Sequence, residues 1–181
     1  DEIQLIGNHN YYNIIATITI AKIFNIKNKI IFKTLKEFKP LKHRLEKLQK
    51  YDGINFINDS KGTNIFSTNV AINCFTKNII LILGGYNDDN LNDYDLIKTI
   101  NTKKIETIIC YGQIGEYIYS IIKNYKKTKY IKDFKKAILH SINIAKSKNI
   151  VLFSPGFKSY DQFKNFEERG NAYKNIINSY Y

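Results

Sequence analysis

From residue 54 onward the chain alternates two patterns. Short continuous apolar runs, INFI, IILIL, ETIICY and NIVLF, are separated by longer stretches in which apolar residues recur at helical spacing: NIFSTNVAINCF, YDLIKTI, IGEYIYSIIKNY and DFKKAILHSINIAK. A brief TKYI segment reads as one further strand, and QFKNFEERGNAYKNIIN as a closing helix. Unbroken apolar strands alternating with amphipathic helices predict a mostly parallel sheet covered on both faces, a doubly wound α/β fold. Ahead of this block the pattern changes. IIATITIAKIF and NKIIFKTLKEF read as two helices, the first capped by Asn8 or Asn10 and the second ending before Pro40. PLKHRLEKLQKY and INFIND then read as two strand-like segments joined at the turn signal Asp52-Gly53. The expected division is a helical tail over 1–40 and the α/β domain over 41–181.

In open sheets of this kind ligands bind beyond the carboxyl ends of the strands, where loops and helix N-termini converge. Three polar loops fall there: NDSKGTN at 58–64, GGYNDDN at 84–90 and SPGFKSYDQF at 154–163. Taken alone, NDSKGTN is a loop of turn formers in which Asp59 or Ser60 could cap the next helix. Its position after the first strand of the block raises a ligand-binding reading above that structural one. GQIGEY at 112–117 reads more simply as a tight strand-to-helix turn.

Composition narrows the picture. The formal charge of +12 invites a nucleic-acid reading, but Arg44 and Arg169 are the only arginines among 28 basic residues, and the lysines spread over most helical faces. Arginine is the side chain suited to phosphate forks and base edges, so the charge argues weakly for a nucleic-acid partner. Cys74 and Cys110 lie in apolar runs without metal-like spacing, which predicts buried free thiols in a reducing, cytoplasmic setting. No apolar run is long enough to span a bilayer. The acidic start DEIQLIGN has no signal-peptide pattern, and the lack of any Met suggests a piece of a longer chain.

Five segments in order, GNHNYYN, PLKHRLE, NDSKGTN, LILGG and SPGFKSYDQFKNFEERG, closely resemble the C-terminal part of the Mur ligases. The resemblance covers nearly the whole chain, and its most specific pieces are NDSK-G-TN and the S-P-x-x-x-S-x-D-x-F-x-x-F-x-x-R-G block. It implies that residues 1–40 end a central ATP-binding domain and that 41–181 form a Rossmann-like C-terminal domain. It further implies a monomeric enzyme that uses ATP with Mg²⁺ to add D-glutamate to UDP-N-acetylmuramoyl-L-alanine through an acyl phosphate. No G-x-x-G-K-[ST] loop occurs, so the phosphate cradle and the metal site would belong to other parts of such a protein, and no metal ligand is assigned here. The chain by itself would be inactive.

The resemblance also assigns roles. Asn10 and Asn13, three apart and so on one helical face, would meet the adenine. His43 would lie against the base, and Arg44 would reach the phosphates with its planar fork. Asp59 would accept the ribose hydroxyls, Lys61 would add positive charge, and Thr63 would touch the incoming amino acid. Ser159, Tyr160 and Phe166 would hold the D-glutamate. Gly62 stands where the family more often has Ala, and Asp88 stands where it usually has a lysine that binds the acidic substrate. An anion there should repel D-glutamate, and Lys158 in the neighbouring loop is the candidate replacement charge. Arg44 and Lys61 are the candidate catalytic groups. Each residue also has a plainer reading: helix capping for Asn10, a surface amide for Asn13, a structural His43, a solvated Arg44 and core packing for Phe166. Ser154 lacks the G-x-S-x-G surroundings of a nucleophile. Competing functions are another Mur or folylpolyglutamate-type ligase, a basic α/β binding module and an inactive remnant.

Overall fold

A computed structural model describes residue 5, residue 7 and residues 9–86 and 91–181. The chain divides into two units, Asp1–Leu41 and Lys42–Tyr181. In the first, α1 (His9–Ile23) and α2 (Asn28–Glu37) pack together, with Ile31 and Leu35 of α2 buried. Helix α1 keeps Tyr11, Tyr12, Ile15, Ile20 and Ile23 exposed.

The second unit holds one six-stranded sheet. Its elements run β1 (Glu46–Lys47), β2 (Asn55–Asn58), α3 (Ile65–Asn73), β3 (Ile79–Gly84), α4 (Asp93–Ile100), β4 (Ile105–Tyr111), α5 (Gly112–Ile122), β5 (Thr128–Tyr130), α6 (Phe134–Ile144), β6 (Ile150–Gly156) and α7 (Phe166–Tyr180). In space the strands lie β1-β2-β6-β3-β4-β5, all parallel except the short antiparallel β1. The last strand is therefore inserted between β2 and β3, pairing Asn55–Asn58 on one side and Ile79–Gly84 on the other.

Side chains of a strand alternate between faces, so each strand feeds two cores. Ile57, Leu81, Leu83, Ile108, Cys110 and Leu152 point to the face covered by α3, α4 and α5. Phe56, Ile80, Ile82, Ile109, Tyr111, Val151 and Phe153 point to the face covered by α6 and α7. This two-sided burial is the reason the strands read as unbroken apolar runs. The expected doubly wound, mostly parallel α/β architecture is what forms.

Several boundaries differ from the sequence reading. The segment 41–51 yields only a two-residue strand, because His43 and Leu45 take left-handed backbone conformations (φ 63° and 46°) that break the extended run. Helix α7 begins at Phe166 rather than near Gln162, since Gln162 and Phe163 donate instead to the Ser159 carbonyl in a turn. Neither Asp59 nor Ser60 caps α3; Asn64 does, accepting from the Ser67 N–H at 2.8 Å. Asn8, the alternative cap for α1, lies outside the described residues. Cys110 is buried, but Cys74 is only half-buried and donates to the Val70 carbonyl. No described helix is long and apolar enough to cross a membrane.

Candidate ligand site at the strand ends

The loops after β2 and β6 meet at the carboxyl edge of the sheet, and their backbones are tied directly: Asp59 N–H donates to the Phe153 carbonyl and Gly156 N–H to the Gly62 carbonyl. Within NDSKGTN the polar side chains turn inward. Asn58 accepts from Ser60 N–H through its Oδ1 and donates through Nδ2 to Glu46 Oε2 and the Gly170 carbonyl. Those partners fix the amide orientation, and His43 Nδ1 lies 3.0 Å from Asn58 Nδ2, the roles of the two nitrogens depending on the ring's tautomer. His43 Nδ1 also stands 3.7 Å from Glu46 Oε2. Burial, followed by the charge of Lys174, lowers the pKa of His43. Gly170 is required beside it, because a Cβ there would come within 2.2 Å of His43 Nδ1.

Asp59 is buried, and both its carboxylate oxygens are engaged by protein. Oδ1 accepts from Leu45 N–H at 3.1 Å and Oδ2 from Ser154 Oγ at 2.7 Å. Burial pushes its pKa up to about 6 against the opposing effect of those two bonds and of Arg44 and Arg169. Gly62 makes the inward seat possible, since a Cβ at that position would lie 2.6 Å from Asp59 Oδ2 and 3.0 Å from Ser154 Oγ. Together with Lys61 N–H, which donates to the His43 carbonyl, the Asp59 bond carries the left-handed turn on which Arg44 stands exposed.

Phe166, at the start of α7, sits between two predicted site residues. The His43 ring meets it edge-on at 6.3 Å, and Lys61 Nζ lies 5.7 Å from its centroid. His43, Arg44, Asp59, Lys61 and Phe166 therefore belong to one neighbourhood, although Asp59 faces Ser154 and Leu45 rather than solvent. Thr63 lines a different recess, a cleft of about 460 Å³ between α3, α4 and the end of β6, with Gly156, Phe157, Asp95 and Lys98. Ser159 is buried, and its carbonyl holds the 159–163 turn. Tyr160 is exposed and packs edge-on against Tyr86 at 6.2 Å. Lys158 is exposed as well, and its carbonyl accepts from Tyr86 N–H. Asp88 lies outside the described residues. In the N-terminal unit Asn13 donates to Asn10 Oδ1 at 3.1 Å, so the two amides share one helix face.

Sequence reasoning passed over Arg169, which is fully buried. It donates to Ser60 Oγ (3.1 Å), the Ser60 carbonyl (2.8 Å), the Phe157 carbonyl (2.9 Å) and Tyr111 Oη (3.4 Å). These acceptors are neutral, an unusual setting for a buried cation; in the sequence Arg169 is the arginine of the S-P…R-G block, a fixed position of the motif to which no role was assigned. Ser154 was weighed only as a nucleophile, whereas it is the partner of Asp59. Asp161 caps α5 by accepting from Gln113 N–H at 3.1 Å. Among the described residues no group of three His, Cys, Asp or Glu side chains comes together to hold a metal.

Loops of this make-up, one with an inward carboxylate and an outward lysine and one with a buried serine, sit where an α/β sheet takes its ligands. Comparison with known proteins agrees on the family. The family model "Mur ligase, glutamate ligase domain" matches residues 43–157. A UDP-N-acetylmuramoylalanine--D-glutamate ligase from Caldicellulosiruptor saccharolyticus is 37% identical over 98% of this chain, which spans only 39% of that relative's length. Among solved structures, the UDP-N-acetylmuramate-alanine ligase from Thermotoga maritima superposes with a TM-score of 0.73 at 14% identity, covering 99% of this chain and 40% of that one. A MurF ligase from the same organism, solved in complex with ADP, gives a TM-score of 0.59 at 14% identity over 90% of this chain and 36% of its own. With an ordered set of motifs, a matching fold and a relative at this identity, the chain belongs to the Mur ligase family and carries its glutamate ligase domain.

Proposed function

We propose that this chain is the C-terminal portion of an enzyme that joins D-glutamate to UDP-N-acetylmuramoyl-L-alanine, converting ATP to ADP and phosphate, in the cytoplasmic stage of peptidoglycan synthesis. The observation that carries the reading is the 37% identity, over nearly the whole chain, to a relative of that name. On this reading residues 1–40 close a central ATP-binding domain and 41–181 form the glutamate ligase domain. The ADP complex of the MurF ligase supports a nucleotide as co-substrate.

The chemistry asks for charge neutralisation and positioning more than for a nucleophile from the protein. The terminal carboxylate of the nucleotide-linked alanine attacks the γ-phosphorus and ADP leaves. The neutral amine of D-glutamate then adds to the acyl carbon, and the tetrahedral intermediate expels phosphate as the amine loses a proton. Arg44 and Lys61 are the groups suited to the phosphate charge, Arg44 through a two-point fork and Lys61 as a point charge. Both are exposed beside the His43–Phe166 pair. His43 offers its ring to the base, and Asn10 and Asn13 offer paired donors and acceptors. Asp59 either leaves Ser154 to take the ribose hydroxyls or serves by holding the Arg44 turn. Thr63, Ser159, Tyr160 and Phe166 serve the amino acid, with Lys158 as the added cation. Mg²⁺ would supply further neutralisation of the phosphates, and none of the steps above is assigned to it.

The test is ADP and phosphate release by the full-length protein. Release that requires both UDP-N-acetylmuramoyl-L-alanine and D-glutamate, with L-glutamate and L-alanine inert, is the expected result. Release driven equally well by another amino acid would move the chain to a different branch of the family.

A further inference from the structure

Arg169 stands in the first turn of α7, three residues after Phe166, and is wholly enclosed. Its guanidinium reaches three separate segments at once: Ser60 in the loop after β2, Phe157 in the loop after β6, and the Tyr111 hydroxyl at the end of β4. A face of the same group lies 5.8 Å from the ring of Phe153. Ser60 closes the circuit, because its hydroxyl accepts from Arg169 Nε and donates to the carbonyl of Phe166 at 2.8 Å. Lys61 follows Ser60 directly, and its ammonium lies over the Phe166 ring.

We propose that Arg169 is a positioning residue for the ligand site: its planar fork, acting through Ser60, holds Lys61 over Phe166 and fixes the β6 loop at Phe157. The shape of the guanidinium is what the position demands. A lysine ammonium gathers its three donors on one atom and cannot reach acceptors that three separate guanidinium nitrogens serve. A hydrophobic residue of like volume would fill the space and leave the carbonyls of Ser60 and Phe157 without those donors.

Two arms test this in the full-length protein with Arg169→Lys, Arg169→Met and Ser60→Ala. The first is trypsin cleavage after Lys61, compared with cleavage after Lys77, which lies in the exposed turn before β3. Loss of the brace is expected to speed cut-site exposure at Lys61 roughly tenfold relative to Lys77, with Arg169→Lys no better than Arg169→Met. Equal acceleration at both lysines would show a contribution to global stability only and overturn the proposal, as would full restoration by Lys. Ser60→Ala removes two bonds with little change of volume and decides the matter if the Arg169 variants do not fold. The second arm is kinetic and rests on the ligase reading. The KM for ATP, whose phosphates Lys61 would face, and the KM for the amino acid, served by Phe166, should both rise several-fold; unchanged KM values with a kcat that tracks the folded fraction would again overturn the brace. A wild-type protein without D-glutamate-dependent turnover would count against the ligase reading, and the cleavage arm would still decide the role of Arg169.

Discussion

Asp59 carries its charge at a cost. With the carboxyl pushed up to about 6 from 3.8, the ionised form is disfavoured in the fold, so the stability this group contributes is fully present below pH 4 and is lost as the pH rises through 6. A shift of about two pH units corresponds to roughly 2 to 3 kcal/mol. Asp59→Asn keeps an acceptor for Leu45 N–H and removes the charge. Its stability advantage over wild type, read by urea unfolding, should therefore be near zero at pH 4 and grow toward pH 7. A constant difference across that range would show that folding does not raise the Asp59 pKa. At this scale the sequence was partly legible. The family motifs pick out His43, Asp59, Lys61 and Phe166, and these do share a neighbourhood. They do not reveal that the Asp59 carboxylate bonds Ser154, because that contact joins residues 95 apart in the chain. The motif marks Arg169 as well, but its role was illegible for a related reason: a buried arginine and a solvated one look alike in a string of letters.

Elements were easier to foresee than their ends. Strand and helix periodicity depends on many residues, whereas a boundary depends on one or two hydrogen bonds. Helix α3 illustrates this. Asp59, Ser60 and Asn64 are all competent caps, and Asn64 prevails because Asp59 and Ser60 are committed to Leu45, Ser154, Phe166 and Arg169. Asn64→Ala should cost about 1 kcal/mol of stability. The same substitution at exposed Asn73, at the other end of α3, should cost clearly less. Comparable losses at the two sites, measured by chemical denaturation, would refute the cap. The 41–51 segment shows the converse failure. Its alternating pattern suited a strand, but the positive φ values at His43 and Leu45, held by bonds to the NDSKGTN loop, override that preference.

For the whole molecule, alternating strands and helices were enough to predict a parallel sheet with two covered faces, while the order of the strands was beyond reach. Nothing local marks β6 for its seat between β2 and β3, since nearly a hundred residues separate β2 from β6. That seat is fixed only by packing, with Phe153 set among Phe134, Tyr111 and Tyr173. The strand that comes last in chain order among the described residues is thus a central one, and this bears on how the sheet is assembled. As the chain leaves the ribosome, β2 and β3 have no direct partner in each other, and the place between them is filled only when residues 150–156 emerge. Amide exchange on stalled nascent chains should show β3 and β4, which pair directly, protected early, and β2 protected only once β6 is outside the exit tunnel. Until that moment the NDSKGTN loop has no Ser154 and no Arg169 to lean on, so the ligand loop is completed only after the β3–β4 half of the sheet has formed.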